Sequence, residues 1–284
     1  MAKRIERALL IVNLHKDSSR TLMSEIEASL HSDGCEVLVC AFEGKPDRIP
    51  DFKFDIAFSL GGDGTVLYAS RCMANRGVPV VPINLGTLGF IAAVHPSDWR
   101  STYDAYCNGE ASISSRLMLD IRLERKGVVM ERHSCLNDAV IAAAGISKII
   151  RLDVGTKTIR FGRYRADGLI VATPTGSTAY SVAAGGPILD PEMDAMILNP
   201  VCPFTLSNRP IVIPAHETIL VDIEAEQRSA VMLTIDGQLV CALEPEDRIS
   251  IRRAKKKAIL IASDREVFYR VLRTKLNWSG GPDA

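Results

Sequence analysis

Phe54-Asp55-Ile56-Ala57-Phe58-Ser59-Leu60-Gly61-Gly62-Asp63-Gly64-Thr65 carries the reading of the fold. Phe54–Leu60 is a strand-like apolar run, and it breaks at a glycine turn. Beyond the turn the spacing predicts a helix over Thr65–Asn75, closed by Gly77 and followed by a strand at Val78–Ile83. Upstream, the short strand Ala8–Asn13 precedes a helical pattern (Leu22, Met23, Ile26, Leu30) that ends near Gly34, and Glu36–Phe42 is again strand-like. Strands alternating with helices predict an α/β class: a Rossmann-like, doubly wound parallel sheet over residues 1–111. Near residue 112 the pattern changes to short β-rich runs: Ser112–Glu124, Val128–His133, Lys148–Val154, Thr158–Phe161, Leu169–Thr173, Ile219–Glu224, Val231–Ile235, Arg248–Arg252 and Ala258–Ala262. They predict a mainly β, sandwich-like C-terminal domain over 112–262. Helical periodicity returns at Asp264–Leu276, so 263–284 is expected to pack back on the first domain.

The chain has 284 residues, long enough for two domains and for cores that need neither metal nor disulfide. Its 34 basic residues balance its 34 acidic ones, which leaves no global field for nucleic acid or an anionic membrane. The seven cysteines include no CxxC pair, and the five histidines show no metal-ligand spacing. Reduced, mostly buried thiols are therefore expected, Cys202 among them, and no cluster of protein metal ligands. The opening MAKRIERALLIVNLHKD is too short in its apolar run for a signal peptide. The uncharged stretch Gly168–Leu189 is too rich in glycine, proline and hydroxyls for a membrane helix. The expected setting is cytoplasmic, with no membrane and no nucleic-acid partner.

Two constellations carry chemistry. Gly61-Gly62-Asp63-Gly64-Thr65 lies where a buried strand gives way to a helix, the position at which parallel sheets bind ligands. Glycines allow close backbone approach, and free N–H groups at a helix start favour a phosphate. Asp63 there can serve as a general base on a hydroxyl or as a magnesium partner; the plainer alternative is a helix N-cap. No GxGxxG is present, and Gly44-Lys45 is followed by Pro46, which excludes a Walker A loop. The second constellation is Asp167-Gly168-Leu169-Ile170-Val171-Ala172-Thr173-Pro174-Thr175-Gly176-Ser177-Thr178-Ala179-Tyr180-Ser181. A strand there enters a hydroxyl cluster suited to ribose, amide and phosphate oxygens, unless it merely caps a helix beginning near Ser177.

GGDGT, the pair Asn137-Asp138, the segment DGLIVATPTGSTAYSVAAGGPI, Cys202-Pro203-Phe204-Thr205-Leu206-Ser207-Asn208-Arg209-Pro210 and the closing Lys275-Leu276-Asn277-Trp278 follow in an order that resembles the NAD kinase family. GGDGT alone is shared with lipid kinases; the long hydroxyl segment is far more specific. The resemblance implies transfer of the γ-phosphoryl of ATP to the 2′-hydroxyl of the adenosine ribose of NAD, giving NADP. In it Asp63 accepts the hydroxyl proton, with Gly64 beside it. Gly61, Gly62 and Thr65 help to hold phosphates and a divalent cation, magnesium, which enters with ATP. Phe90 lies against an adenine, its plainer alternative being a core phenylalanine. Asn137 and Asp138 bind ribose hydroxyls, while Thr178, Ala179, Tyr180 and Ser181 hold adenine and ribose, with Ala183 nearby. Lys148, Arg165 and Asp167 reach the dinucleotide from a neighbouring subunit of a homodimer or homotetramer, and Gln238 adds a contact. Without the resemblance, Lys148 and Arg165 read as solvated charges.

The chain departs from the family pattern at two positions. Asp138 stands where the family usually has glutamate, shortening the reach to ribose by one methylene. Ala183 stands where relatives often carry serine. Two rival readings share part of the pattern: a GGDGT-type lipid or sugar-phosphate kinase, and a dinucleotide sensor without turnover.

Overall fold

β1 (Arg7–Asn13) is buried from Ala8 to Val12, and its neighbours explain why an apolar run is needed there. It lies between β2 (Glu36–Phe42) and β3 (Ile56–Gly61), parallel to both. α1 (Asp17–Ser32) joins β1 to β2, and α2 (Asp63–Met73) joins β3 to the parallel β4 (Val80–Asn84). α3 (Trp99–Asn108) and the short β5 (Ile113–Arg116) follow. Successive residues of β1 face opposite sides of the sheet. Ala8, Leu10 and Val12 join Leu22, Ile26 and Leu30 of α1 and Trp99, Tyr103 and Tyr106 of α3 in one core. Leu9 and Ile11, equally buried, point to the other side, and α2 packs on β3 and β4 outside that first cluster. The computed structural model describes residues 3–15, 17–44, 46, 49–145, 148–205 and 208–276. Lys45, Leu206-Ser207, Asn277-Trp278 and the rest of 277–284 lie outside the described residues.

The second unit spans 117–255. Its strands are β6 (Leu119–Arg125), β7 (Val128–Cys135), β8 (Asp138–Ala143), β9 (Ile150–Thr156), β10 (Arg160–Ala166), β11 (Gly168–Ala172), β12 (Ala195–Val201), β13 (Ile211–Pro214), β14 (Thr218–Ile223), β15 (Val231–Ile235), β16 (Leu239–Leu243) and β17 (Arg248–Arg253). Between β11 and β12 lies a single helical turn, α4 (Tyr180–Ala183). The strands form two antiparallel sheets, ordered β10-β9-β14-β17-β6-β7 and β13-β12-β11-β8-β15-β16. Alternate residues such as Ile121, Leu152, Val221 and Ile251 from one sheet meet Ile141, Val171, Leu198 and Leu233 from the other, so the unit is a sandwich around one core.

Two expectations shift. Ser112–Glu124 is not one strand: it divides at Leu117-Met118, and only its second half belongs to the sandwich. The last strand, β18 (Ala258–Ile261), pairs parallel with β4 and antiparallel with β5, so both β5 and β18 complete the first sheet, ordered β2-β1-β3-β4-β18-β5. The first unit accordingly comprises residues 1–116 and 256–284. α5 (Arg265–Leu276) belongs to it and buries Phe268, Val271 and Leu272. No helix among the described residues is long and apolar enough to cross a membrane.

Candidate active site

In the first unit the glycine turn sits at the carboxyl end of β3. Gly62, extended at φ −111°, is the residue before α2, so Asp63 occupies the first helical position and is not the cap. Its side chain turns to the loop after β4. One oxygen, Oδ1, accepts the N–H groups of Ile91 at 3.1 Å and Ala92 at 2.8 Å; Oδ2 accepts that of Phe90 at 2.9 Å. The loop is shaped by Asn84, whose amide donates to Thr87 O and accepts from Gly86 N. Gly61 and Gly89 are required by space: a Cβ on Gly61 would strike the Thr65 hydroxyl, and one on Gly89 would strike the Asp63 carboxylate. Gly62 and Gly64 are exposed and Thr65 is buried. The Phe90 ring is half-buried against Phe268, with Lys275 Nζ 5.2 Å from its centre. It thus has packing partners of its own from α5.

The second unit gathers Asn137, Asp138, Ala179 and Tyr180 around a cavity of about 330 Å³, with Val140, Thr234, Asp236 and Gly237 completing its wall. Asp236 organises this wall. It stands in the left-handed region at φ 50° in the turn between β15 and β16, and Gly237 follows at φ 65°. Its carboxylate accepts the N–H groups of Leu136 at 3.1 Å, Asn137 at 2.7 Å and Asp138 at 3.3 Å. With its backbone fixed, Asp138 keeps its own carboxyl nearly buried, and burial, reinforced by the nearby Asp236 charge, pushes it up to about 7. Asn137 Oδ1 is buried and has no hydrogen-bond partner among the described residues, an acceptor left for a ligand hydroxyl or amine. Asp236 was absent from the residues singled out by sequence; an Asp-Gly dipeptide between two strands is the signal that marks its turn.

The hydroxyl segment divides into supports and lining. Thr173 donates to Leu136 O and accepts from Gly176 N, while Ser177 donates to Pro174 O and accepts from Leu189 N. Ser181 is fully buried beside Asn199, whose amide donates to its carbonyl at 2.9 Å. Thr178 is half-buried and donates to Thr175 O. These groups pin the loop that presents Ala179 and the exposed Tyr180. Gly176 lies so close to Asn137 that a Cβ would collide with its carbonyl. Tyr180 also borders a second cavity, of about 300 Å³, with Lys148, Asp167 and Cys202. Lys148 and Arg165 line a third with Arg151 and Arg228, a basic recess, and the Arg165 guanidinium sits 4.7 Å over the Phe204 ring. Ala183 and Gln238 are exposed and line none of these three cavities. Cys202 is exposed at φ 45° and not a buried packing residue as expected, because it turns the chain directly after β12.

The ATP-NAD kinase N-terminal domain model matches residues 43–111, and the ATP-NAD kinase C-terminal domain model matches residues 136–263. The NAD kinase of Treponema denticola is 40% identical over 279 residues, covering 97% of this chain and 98% of that protein. The chain belongs to the NAD kinase family. A further NAD kinase, from Geobacter sulfurreducens, is 34% identical over 283 residues, covering 96% of this chain and 99% of that one. Among solved structures, an NAD kinase from Archaeoglobus fulgidus in complex with ATP aligns at TM-score 0.73 and 25% identity, over 95% of this chain and 98% of its own. Yeast NADH kinase complexed with NADH aligns at TM-score 0.87 and 24% identity, over 98% and 89%, and shares the fold. The C-terminal NAD kinase domain model takes in Asn137, Asp138 and Asp236 together, and the N-terminal model takes in Asp63 and the loop that holds it.

Proposed function

We propose that the protein transfers the γ-phosphoryl group of ATP, supplied with Mg²⁺, to the 2′-hydroxyl of the adenosine ribose of NAD, forming NADP and ADP. The observation that carries this reading is the Asn137-Asp138 cavity, an amide acceptor and a carboxyl side by side, in a chain of the NAD kinase family. A ribose diol donates to both. Tyr180 and Ala179 supply surface for adenine, and Thr178, Ser181 and Asn199 keep their loop in place. Gly61, Gly62, Gly64 and Thr65 hold triphosphate oxygens at the start of α2.

Phosphoryl transfer calls mainly for positioning and charge neutralisation. The bond from the γ-phosphorus to the bridging oxygen of ADP breaks as the ribose oxygen bonds to phosphorus, and the hydroxyl proton leaves. Asp63 is suited to accept it. A carboxylate offers about four lone-pair positions; three accept backbone N–H groups, two of them on Oδ1. The remaining position is on Oδ2, which supports that atom as the proton acceptor. The protein works in the cytoplasm as a homodimer or homotetramer, with Lys148, Arg165 and Asp167 serving a neighbouring subunit's dinucleotide.

The test is incubation with NAD and Mg-ATP, reading NADP through an NADP-specific dehydrogenase. Steady formation of NADP supports the reading. NAD binding without NADP would point to a sensor, and phosphorylation of a lipid base or sugar phosphate in place of NAD would point to the other kinase classes.

A further inference from the structure

Glu131, His133 and Cys241, none of them given a role above, converge at one point. Glu131 and His133 are two apart on β7 and so share a face, while Cys241 lies on β16. These two strands are the outermost members of the two sheets at one end of the sandwich. The Glu131 carboxylate is 2.6 Å from His133 Nε2, and Cys241 Sγ is 3.2 Å from Glu131 Oε2 and 3.5 Å from His133 Nε2. The thiol is free and buried, whereas the glutamate side chain is 45% and the histidine 22% exposed. One oxygen, one nitrogen and one sulfur donor thus meet at a point open to solvent on one side.

We propose that Glu131, His133 and Cys241 form a binding site for a zinc-class divalent cation, which ties the edge strands β7 and β16 together. Tetrahedral zinc holds sulfur at about 2.3 Å and nitrogen or oxygen at about 2.0–2.2 Å, which places sulfur about 3.6 Å from each of the other donors and those about 3.3 Å from each other. Both sulfur separations already lie near that geometry. The carboxylate–imidazole pair must open by about 0.7 Å and the carboxylate–sulfur pair by about 0.4 Å, both within a swing of the partly exposed Glu131 side chain. Three protein donors leave the fourth position to water. The donor set favours zinc over magnesium, which demands oxygen ligands and octahedral geometry. Arg125 is the cation that faces Glu131, and its charge is already answered by Asp247 and Glu244 at 2.7–2.9 Å. On binding, the Cys241 thiol gives its proton to solvent and the resulting thiolate takes the metal.

Cobalt(II) reports this directly, because a thiolate ligand gives a near-ultraviolet charge-transfer band and tetrahedral coordination gives intense visible bands. The full chain, stripped by chelator, reduced and free of nucleotide, is titrated with Co²⁺. The expected result is saturation of both features at one equivalent, displacement by Zn²⁺ and not by Mg²⁺, and a rise in Tm with Zn²⁺. Cys241→Ser should lose the charge-transfer band. His133→Gln, at a half-exposed position that leaves packing intact, should weaken Co²⁺ affinity at least tenfold and abolish the Tm rise. A titration with no charge-transfer band in the native chain overturns the site, as does a band that His133→Gln leaves at full affinity. None of these readouts depends on NAD phosphorylation, so the site stands or falls apart from the kinase reading.

Discussion

Gly89 has no room for a β-carbon, because the Asp63 carboxylate fills that space while it accepts the next three backbone N–H groups. Gly89→Ala should push the carboxylate off Phe90, Ile91 and Ala92 and leave donors unpaired, at a cost of about 1–3 kcal/mol each if they remain dry. The expected outcome is a Tm lowered by several degrees together with a kcat loss greater than tenfold. A variant with native Tm and native turnover would show that the contact holds neither the loop nor the reaction.

Asp63→Asn keeps the shape of the side chain yet not its hydrogen bonds. Its oxygen can still serve Ile91 and Ala92, but its NH2 would then face the N–H of Phe90, donor against donor. Turnover should fall by about 10²–10⁴ for loss of the proton acceptor. Stability should also fall, by about 1–3 kcal/mol, a cost that nothing local to the glycine turn announces. Chemical denaturation and kcat, measured on one preparation, separate the two effects. Undiminished turnover would remove Asp63 from catalysis.

The glycine turn is legible in the sequence and the partners of Asp63 are not. The strand–glycine–helix signal locates the turn because each part is local, and Glu36–Phe42 and Val231–Ile235 emerge with their observed limits. The partners of Asp63 lie 27 to 29 residues further on, and no local pattern announces them. For the same reason the Glu131–His133–Cys241 group escapes a scan of spacings: His133 and Cys241 are 108 residues apart and meet only when two sheets stack. β5 and β18 read as part of the β-rich domain because their alternation is sound, while their pairing partners, β4 and each other, lie in the first sheet. α3 lies outside the expected elements although its signal is local. Trp99, Tyr103 and Tyr106 recur at helical spacing and Gly109 closes the helix in the left-handed region, but aromatic residues there mask the pattern.

Asp138 should make stability fall with rising pH. Its carboxyl is pushed up to about 7 in the folded protein, against about 3.9 for an unfolded aspartate. Between these values the folded chain keeps a proton that the unfolded chain releases, so folding is progressively disfavoured as pH rises through the interval and stays so above it. The full effect is at most about 4 kcal/mol, from about 1.4 kcal/mol per pH unit. Asp138→Asn removes the penalty: it should unfold at higher denaturant than the native chain near pH 8, with a smaller gain near pH 5. Its KM for NAD should rise, since the ribose diol loses its anionic acceptor. Equal gains at both pH values would place the burial cost elsewhere.

The shared-site reading predicts rescue between two inactive variants. Asp63→Asn and Asp167→Ala each disable one contribution, and under this reading the two contributions to any one site come from different chains. In a mixed dimer one site then carries both lesions and the other carries neither. Random pairing makes about half of the dimers mixed, so about a quarter of all sites should regain activity. If both residues serve the dinucleotide of their own chain, every site keeps one lesion. Co-expression with two different tags isolates the mixed species, and its turnover is compared with that of each parent variant. Mixed dimers as inactive as the parents would assign Asp167 to its own chain, beside the Lys148 and Tyr180 with which it already lines a cavity, and would leave the family membership untouched.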